Sequence, residues 1–194
     1  MVTAKDLNDF EEEIAELFIQ KKIPAVTHLC GEAYEELIEL FKRIRPQDWV
    51  LGTWRAQCHC LLKGVPREEL KASILAGNSV ALSFPKQRVL CSAIVCGSLP
   101  IAVGIAMGIK RSGEDSHVYA FLGDMASTMG VAHECFQYSR GQKLPISFYI
   151  ENNHKSAQTD TLKVWGINSL PYGDTFSYER KKYLHAGANR WIRF

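Results

Sequence analysis

Apolar positions recur at three- and four-residue steps at the start of the chain. Leu7, Phe10, Ile14 and Leu17 share one helical face with acidic residues between them, the pattern of an amphipathic helix. Thr3 with Asp6 would cap its start, and Pro24 ends the segment. A second helix is predicted after Gly31, with Tyr34, Leu37, Ile38 and Phe41 on one face and Pro46 as its stop. Residues 49–53 read as a short strand leading into Trp54-Arg55. Residues 66–75 read as a helix with acid at its start, and residues 78–87 as a loop.

Residues 89–109 contain no charged residue and are bounded by Arg88 and Lys110. Length alone would allow a membrane span. Pro100 sits in the middle, however, with Gly97, Gly104 and Gly108 around it. The stretch therefore divides into an apolar strand or loop (89–95) and a buried helix starting near Pro100, a residue favoured in the first helical turn. Gly104 and Gly108 are four apart, so they share a face and allow close backbone approach.

Farther along, residues 117–122 form an apolar run that ends in Gly123-Asp124. Residues 127–140 carry Ala132, Cys135, Phe136 and Ser139 at core spacing and predict a helix closed by Gly141. A second apolar run, 144–150, ends near Asn152-Asn153. After that the pattern weakens: 154–161 read as a polar loop and 162–165 as a short strand. Residues 175–194 are basic and aromatic, with Tyr178, Tyr183, Trp191 and Phe194.

The order strand, Asp, helix, strand, Asn has a topological consequence. A right-handed crossover brings Asp124 and Asn153 to the carboxyl edge of one parallel sheet. Adjacent strands lie about 4.8 Å apart, so one small ion can touch both. A carboxylate, an amide oxygen and a following loop carbonyl suit magnesium, an ion that also holds phosphates. Taken singly, each residue has a plainer reading: Asp124 as a helix N-cap before Ser127, Asn152-Asn153 as a turn.

Composition narrows the class. A chain of 194 residues fits one domain, and an apolar fraction of 46% is ordinary for a globular core. A net charge of +2 argues against a long nucleic-acid surface. The six cysteines are scattered with no Cys-x-x-Cys pair. Cys58 and Cys60 flank His59, but a soft-metal site needs more ligands at set spacing. Scattered thiols and the lack of a secretory leader suggest a reducing, cytoplasmic setting.

Several segments together resemble a known family. Gly123-Asp124-Met125-Ala126 through Glu151-Asn152-Asn153 resembles the thiamine-diphosphate fingerprint. More narrowly, the chain looks like the alpha subunit of the first component of 2-oxo acid dehydrogenases. Thr27-His28-Leu29-Cys30-Gly31-Glu32-Ala33 is similar to that family's early His-Leu loop. Trp54-Arg55-Ala56-Gln57-Cys58-His59 is similar to its Tyr-Arg-x-His-x-His segment, which Leu61-Leu62-Lys63-Gly64-Val65-Pro66 continues. Gly97-Ser98-Leu99-Pro100-Ile101-Ala102-Val103-Gly104 matches its Gln-x-Pro-x-Ala-x-Gly helix start apart from Ser98. The likeness covers residues 23–153 in the family's order.

The resemblance implies a three-layer α/β fold of the thiamine-diphosphate-binding, diphosphate-binding type, with a mostly parallel sheet flanked by helices. Residues 1–161 would form that domain, and 162–194 a tail packed on it or on a partner. Magnesium would be held by Asp124, the Asn153 amide oxygen and the Lys155 carbonyl. Gly123, Met125 and Ala126 would lie beside the diphosphate and Arg55 would meet its terminal phosphate; a surface salt bridge is the plainer reading of Arg55. Val95 would hold the two cofactor rings bent together, and Ala93 and Val95 would offer backbone groups to the aminopyrimidine; both could equally be plain core. His28 would be the acid–base group at the substrate end, or else a hydrogen-bonded loop histidine. His185 is a candidate stand-in for a later-loop histidine.

The chain departs from the family at Met125 (usually glycine), Trp54 (tyrosine, whose cofactor contact the indole N–H would take over) and Gln57 (histidine), and it is short after the Asn-Asn pair, so later sheet strands are expected to be missing. The implied activity is decarboxylation of a small 2-oxo acid with transfer of the acyl or aldehyde unit. The activating glutamate would come from a beta-type subunit in an α₂β₂ assembly, with the Pro100 helix near the interface. Neither nucleic acid nor a membrane is an implied partner. A transketolase-like carboligase half-subunit and a non-catalytic scaffold are the other readings.

Overall fold

The structure is a computed structural model describing residues 2–31, 33–157, 159–166, 173–178 and 182–183. His185, Trp191 and Phe194 lie outside the described residues.

The opening periodicity forms α1 (Ala4–Ile19), with Leu7, Phe10, Ile14 and Phe18 buried. The cap expected of Thr3 and Asp6 forms, and it is reciprocal: Asp6 N–H donates to Thr3 Oγ1 at 3.2 Å and Thr3 N–H donates to the Asp6 carboxylate at 2.8 Å. Helix α2 (Tyr34–Phe41) follows, then α3 (Gln57–Leu62) and α4 (Arg67–Leu75). Between α2 and α3 runs β1 (Trp49–Gly52). The expected loop at 78–87 instead contains a two-residue strand, β2 (Ser83–Phe84), and a 3₁₀ turn at Pro85–Gln87. It folds back on β3 (Val89–Cys91) as the one antiparallel pairing in the main sheet among the described residues.

The uncharged stretch divides as its proline and glycines indicate, into β3 and helix α5 (Ser98–Ser112). Among the described residues no helix is long and apolar enough to cross a membrane. Only one side of α5 is buried, through Leu99, Ala102, Val103, Ala106 and Ile109. Pro100, Ile101, Gly104 and Gly108 face outward. The close approach expected at the glycine face is therefore not made by any described part of this chain.

Strand β4 (Val118–Gly123), helices α6 (Asp124–Ser127) and α7 (Gly130–Gly141) and strand β5 (Ile146–Asn152) complete the crossover. The single helix expected over 127–140 is broken. The Ser127 and Thr128 hydroxyls donate back to the carbonyls of Asp124 (2.6 Å) and Met125 (2.7 Å), a competition that interrupts helices. Beyond β5 a tight hairpin, β6 (Lys155–Ser156) and β7 (Thr159–Asp160), leads into helix α8 (Thr161–Trp165). The loop and short strand expected here are thus a hairpin and a helical turn, the latter capped by Asp160 accepting from Lys163 N–H at 3.0 Å. Strand β8 (Asp174–Ser177) pairs parallel with β5, so the segment after Asn153 contributes a strand of its own.

The main sheet runs β2-β3-β1-β4-β5-β8. Alternation along the strands divides its two faces. Val50, Phe121 and Tyr149 pack with α1–α4, while Leu51, Ala120, Leu122, Phe148 and Ile150 pack under α5 and α7. Helices thus cover both faces, which is the three-layer α/β architecture expected.

Candidate functional site

The site begins with register. Gly123 lies opposite Glu151 across the β4–β5 pair, so Asp124 and the Asn152-Asn153 pair emerge side by side at the carboxyl edge. Asp124 is the first residue of α6; Gly123 is the cap position and no side chain caps it. The plainer reading of Asp124 as an N-cap is therefore not what the backbone does. Both asparagines do form turns, since Asn152 Oδ1 accepts from His154 N–H and Asn153 Oδ1 from Lys155 N–H, each at 3.0 Å.

A cavity of about 230 Å³ opens at this edge. Trp54, Arg55, Val95, Gly123, Asp124, Met125, Ala126, Asn153 and Lys155 all line it, so nine of the positions implied by the sequence converge on one cleft. His28 and Ala93 do not line it. They lie in a shallower neighbouring cavity with Val26, Val80 and Trp54, which borders both. The His28 and Trp54 rings sit 5.8 Å apart.

Two close approaches place the cleft walls. A Cβ at Gly52 would come within 2.8 Å of Ala56 Cβ, so the bare glycine lets the turn carrying Arg55 seat against β1. A Cβ at Gly97 would meet Ile94 Cβ and Ser92 Oγ at 2.8 Å. That turn presents Val95 to the cleft and leaves Ile94 74% exposed.

The electrostatics are those of two buried carboxyl groups beside a cation. Asp124 is 2% exposed. Burial pushes its carboxyl above the usual range, opposed by the hydroxyl of Thr161 and the N–H of Met125. Thr161 Oγ1 donates to Asp124 Oδ2 at 2.6 Å. Glu151 also lines the cleft, and burial pushes it up to about 8, with the Arg55 guanidinium opposing. His59 Nε2 lies 3.5 Å from Glu151 Oε1, but burial lowers His59 to about 3. At neutral pH that contact therefore joins two uncharged groups and is not an ion pair. Tyr178 closes the far wall, its hydroxyl hydrogen-bonded to the Asn153 side chain. Glu151, Thr161 and Tyr178 had no assigned role in the sequence pattern; Glu151 stood inside the fingerprint, and the other two lie in segments with no periodicity.

The donor set fits a hard divalent cation. It consists of oxygens only, and a cation would hold the buried Asp124 carboxylate in its ionised form. The Lys155 carbonyl is available. Thr161 N–H donates to His154 O at 3.2 Å, which makes Lys155 and Asp160 a non-hydrogen-bonded pair of the hairpin. Among the described residues no group of three or more His, Cys, Asp or Glu is placed to hold a metal. Cys58, His59 and Cys60 are buried in the core.

An arginine-lined cleft lies where adjacent parallel strands lead into Asp and Asn, the edge at which open α/β sheets commonly take ligands. The family profile described as "Dehydrogenase E1 component" matches residues 3–165, and the chain belongs to that family. It is 26% identical over 158 residues to the alpha subunit of acetoin:2,6-dichlorophenolindophenol oxidoreductase from Bacillus subtilis (strain 168), covering 76% of this chain and 47% of that protein. It is 28% identical over 169 residues to the pyruvate dehydrogenase E1 component subunit alpha of Rickettsia prowazekii (strain Madrid E), covering 81% and 51%. Among solved structures, the "putative thiamin diphosphate-dependent enzyme isolated from Mycobacterium smegmatis" aligns with a TM-score of 0.43 at 18% identity, over 67% of this chain and 22% of that one. The chain spans about half the length of the curated relatives it matches.

Proposed function

We propose that this chain is the diphosphate-binding half of a thiamine-diphosphate enzyme, an alpha-type subunit acting on a small 2-oxo acid. The observation that carries the reading is the convergence of Asp124, Asn153 and Arg55 on one cleft. Asp124, the Asn153 amide oxygen and the Lys155 carbonyl would hold magnesium. Arg55 offers a planar fork of donors suited to phosphate oxygens. Gly123 and Ala126 leave room for a diphosphate, and Val95 supports the rings from the cleft wall. When bound, the cofactor supplies the electron sink for decarboxylation. His28, across Trp54 from the cleft, would exchange a proton with substrate entering from the neighbouring cavity.

The residue that activates the aminopyrimidine would come from a beta-type partner. The outward face of α5, with Pro100 and Ile101, and exposed Ile94 give that partner an apolar surface beside the cleft.

Titration calorimetry with thiamine diphosphate and Mg²⁺ tests the reading. Wild type, alone or with its beta-type partner, should bind in a metal-dependent way, and Asp124→Ala should lose that binding. Decarboxylation should appear only on adding the partner. Met125, whose side chain lines the cleft where the family has glycine, favours one competing reading, a scaffold that kept the fold. Metal-independent or absent binding in the assembled complex would establish it.

A further inference from the structure

Resting on the magnesium reading above, we infer that Thr161 is a positioning residue for the metal site: its buried hydroxyl pins Oδ2 of Asp124 and locks the three proposed ligands into one arrangement. Thr161 lies 37 residues beyond Asp124 and is 6% exposed. Its Oγ1–H donates to Asp124 Oδ2 at 2.6 Å. A charge-assisted O–H···O contact of this length is among the stronger hydrogen bonds, and a carboxylate with one oxygen held has one fewer rotamer to search. Thr161 has no freedom of its own. Its N–H donates to His154 O at 3.2 Å, and it follows directly on Asp160, which faces Lys155 across the hairpin. Asp160 in turn caps α8.

The consequence is a closed chain of contacts. Asn153 begins the hairpin, Lys155 lies on its first strand, and its second strand delivers Thr161 to Asp124. The Asn153 side chain is held on its other side by Tyr178. The hairpin therefore sets the separation between the Asp124 carboxylate and the Lys155 carbonyl, as partners behind metal ligands commonly do. A contrary arrangement is possible in chemical terms: the hydroxyl could act as a plug that a cation must displace. The two differ in sign.

Mn²⁺ serves as the probe, with free ion read by electron paramagnetic resonance in the presence of thiamine diphosphate, on the full chain with its beta-type partner. Thr161→Val keeps the β-branched shape and removes the hydroxyl; it should weaken Mn²⁺ affinity about tenfold. Thr161→Ser restores the hydroxyl and should recover most of that loss, which a purely structural role would not predict. Asp124→Ala is the reference for complete loss. If Thr161→Val binds as well as wild type while Asp124→Ala does not bind, the positioning role is wrong and the magnesium reading stands. If Thr161→Val binds more tightly, the hydroxyl is a plug and the inference is overturned. If wild type itself shows no Asp124-dependent binding, both fall. Should Thr161→Val fold poorly, Thr161→Ala, which also removes the hydroxyl, gives the same comparison with Thr161→Ser.

Discussion

Glu11 and Glu151 are both buried carboxyl groups, and the chain treats them in opposite ways. Around Glu11 the donors come from within. Cys30 N–H (2.5 Å), Gly31 N–H (2.8 Å) and the Tyr34 hydroxyl (2.6 Å) all point at its two oxygens. It ties α1 to the loop that carries His28. Burial still pushes Glu11 up, but these three contacts oppose it. Glu151, at the cleft, meets His59 at 3.5 Å and feels Arg55, and burial wins. The difference separates an anchor from a site. A carboxylate satisfied by its own fold stabilises that fold, whereas one left short of partners at a cleft is held there at a cost to stability, as functional positions commonly are.

Four substitutions sharpen or break this contrast. Glu11→Leu should be the most damaging, because it strands three donors in the core. A loss of about 3–5 kcal/mol is expected, seen in urea unfolding as a large drop in midpoint. A loss below 1 kcal/mol would remove the anchor interpretation.

Glu151→Gln should instead stabilise in mild alkali. Its folded-state value is raised to about 8, against about 4.3 when unfolded. Its contribution is full below the unfolded value and is lost as pH rises toward about 8. Gln removes that slope, so the gain should be on the order of 3 kcal/mol or less at pH 8 and near zero at pH 4. Denaturation at the two pH values reads it.

His59→Phe has the opposite window. Its value falls to about 3 in the fold, against about 6.5 unfolded. The neutral ring's stability is intact above 6.5 and drains away as pH falls toward 3. Phe suits the surroundings, since His59 already meets Phe121 edge-on at 4.4 Å and Phe41 at 5.7 Å. The variant should gain about 2 kcal/mol over wild type at pH 5 and little at pH 7.

Asp124→Asn should change stability least, by under about 1 kcal/mol, because the amide oxygen can still accept from Thr161. If it destabilised as much as Glu11→Leu, Asp124 would be an anchor too.

Much of this arrangement was legible in the chain. Long-period patterns found α1, α2 and α4, and the order of Asp124 and Asn153 on successive apolar runs found the sheet edge. Pro100 with its glycines split the uncharged stretch correctly. What escaped was set by short-range hydrogen bonding instead of hydrophobic period. The break after α6 comes from two hydroxyls bonding backward. Alternating Leu162 and Val164 imitated a strand, yet the Asp160 cap makes a helical turn there and leaves both side chains exposed. Thr161 could not be found by spacing at all. Its contact with Asp124 exists only once the hairpin has folded.

The outward flank of α5 has a consequence for the helix itself. Nothing among the described residues lies within 4 Å of a Cβ built at Gly104 or Gly108, so alanine would fit at either. Each glycine weakens helix propensity by about 1 kcal/mol relative to alanine. Gly104→Ala and Gly108→Ala should therefore raise the melting temperature of the solitary chain. The fold tolerates two soft spots along a helix that it could have stiffened freely, and what they leave is a smooth backbone strip along its outward flank.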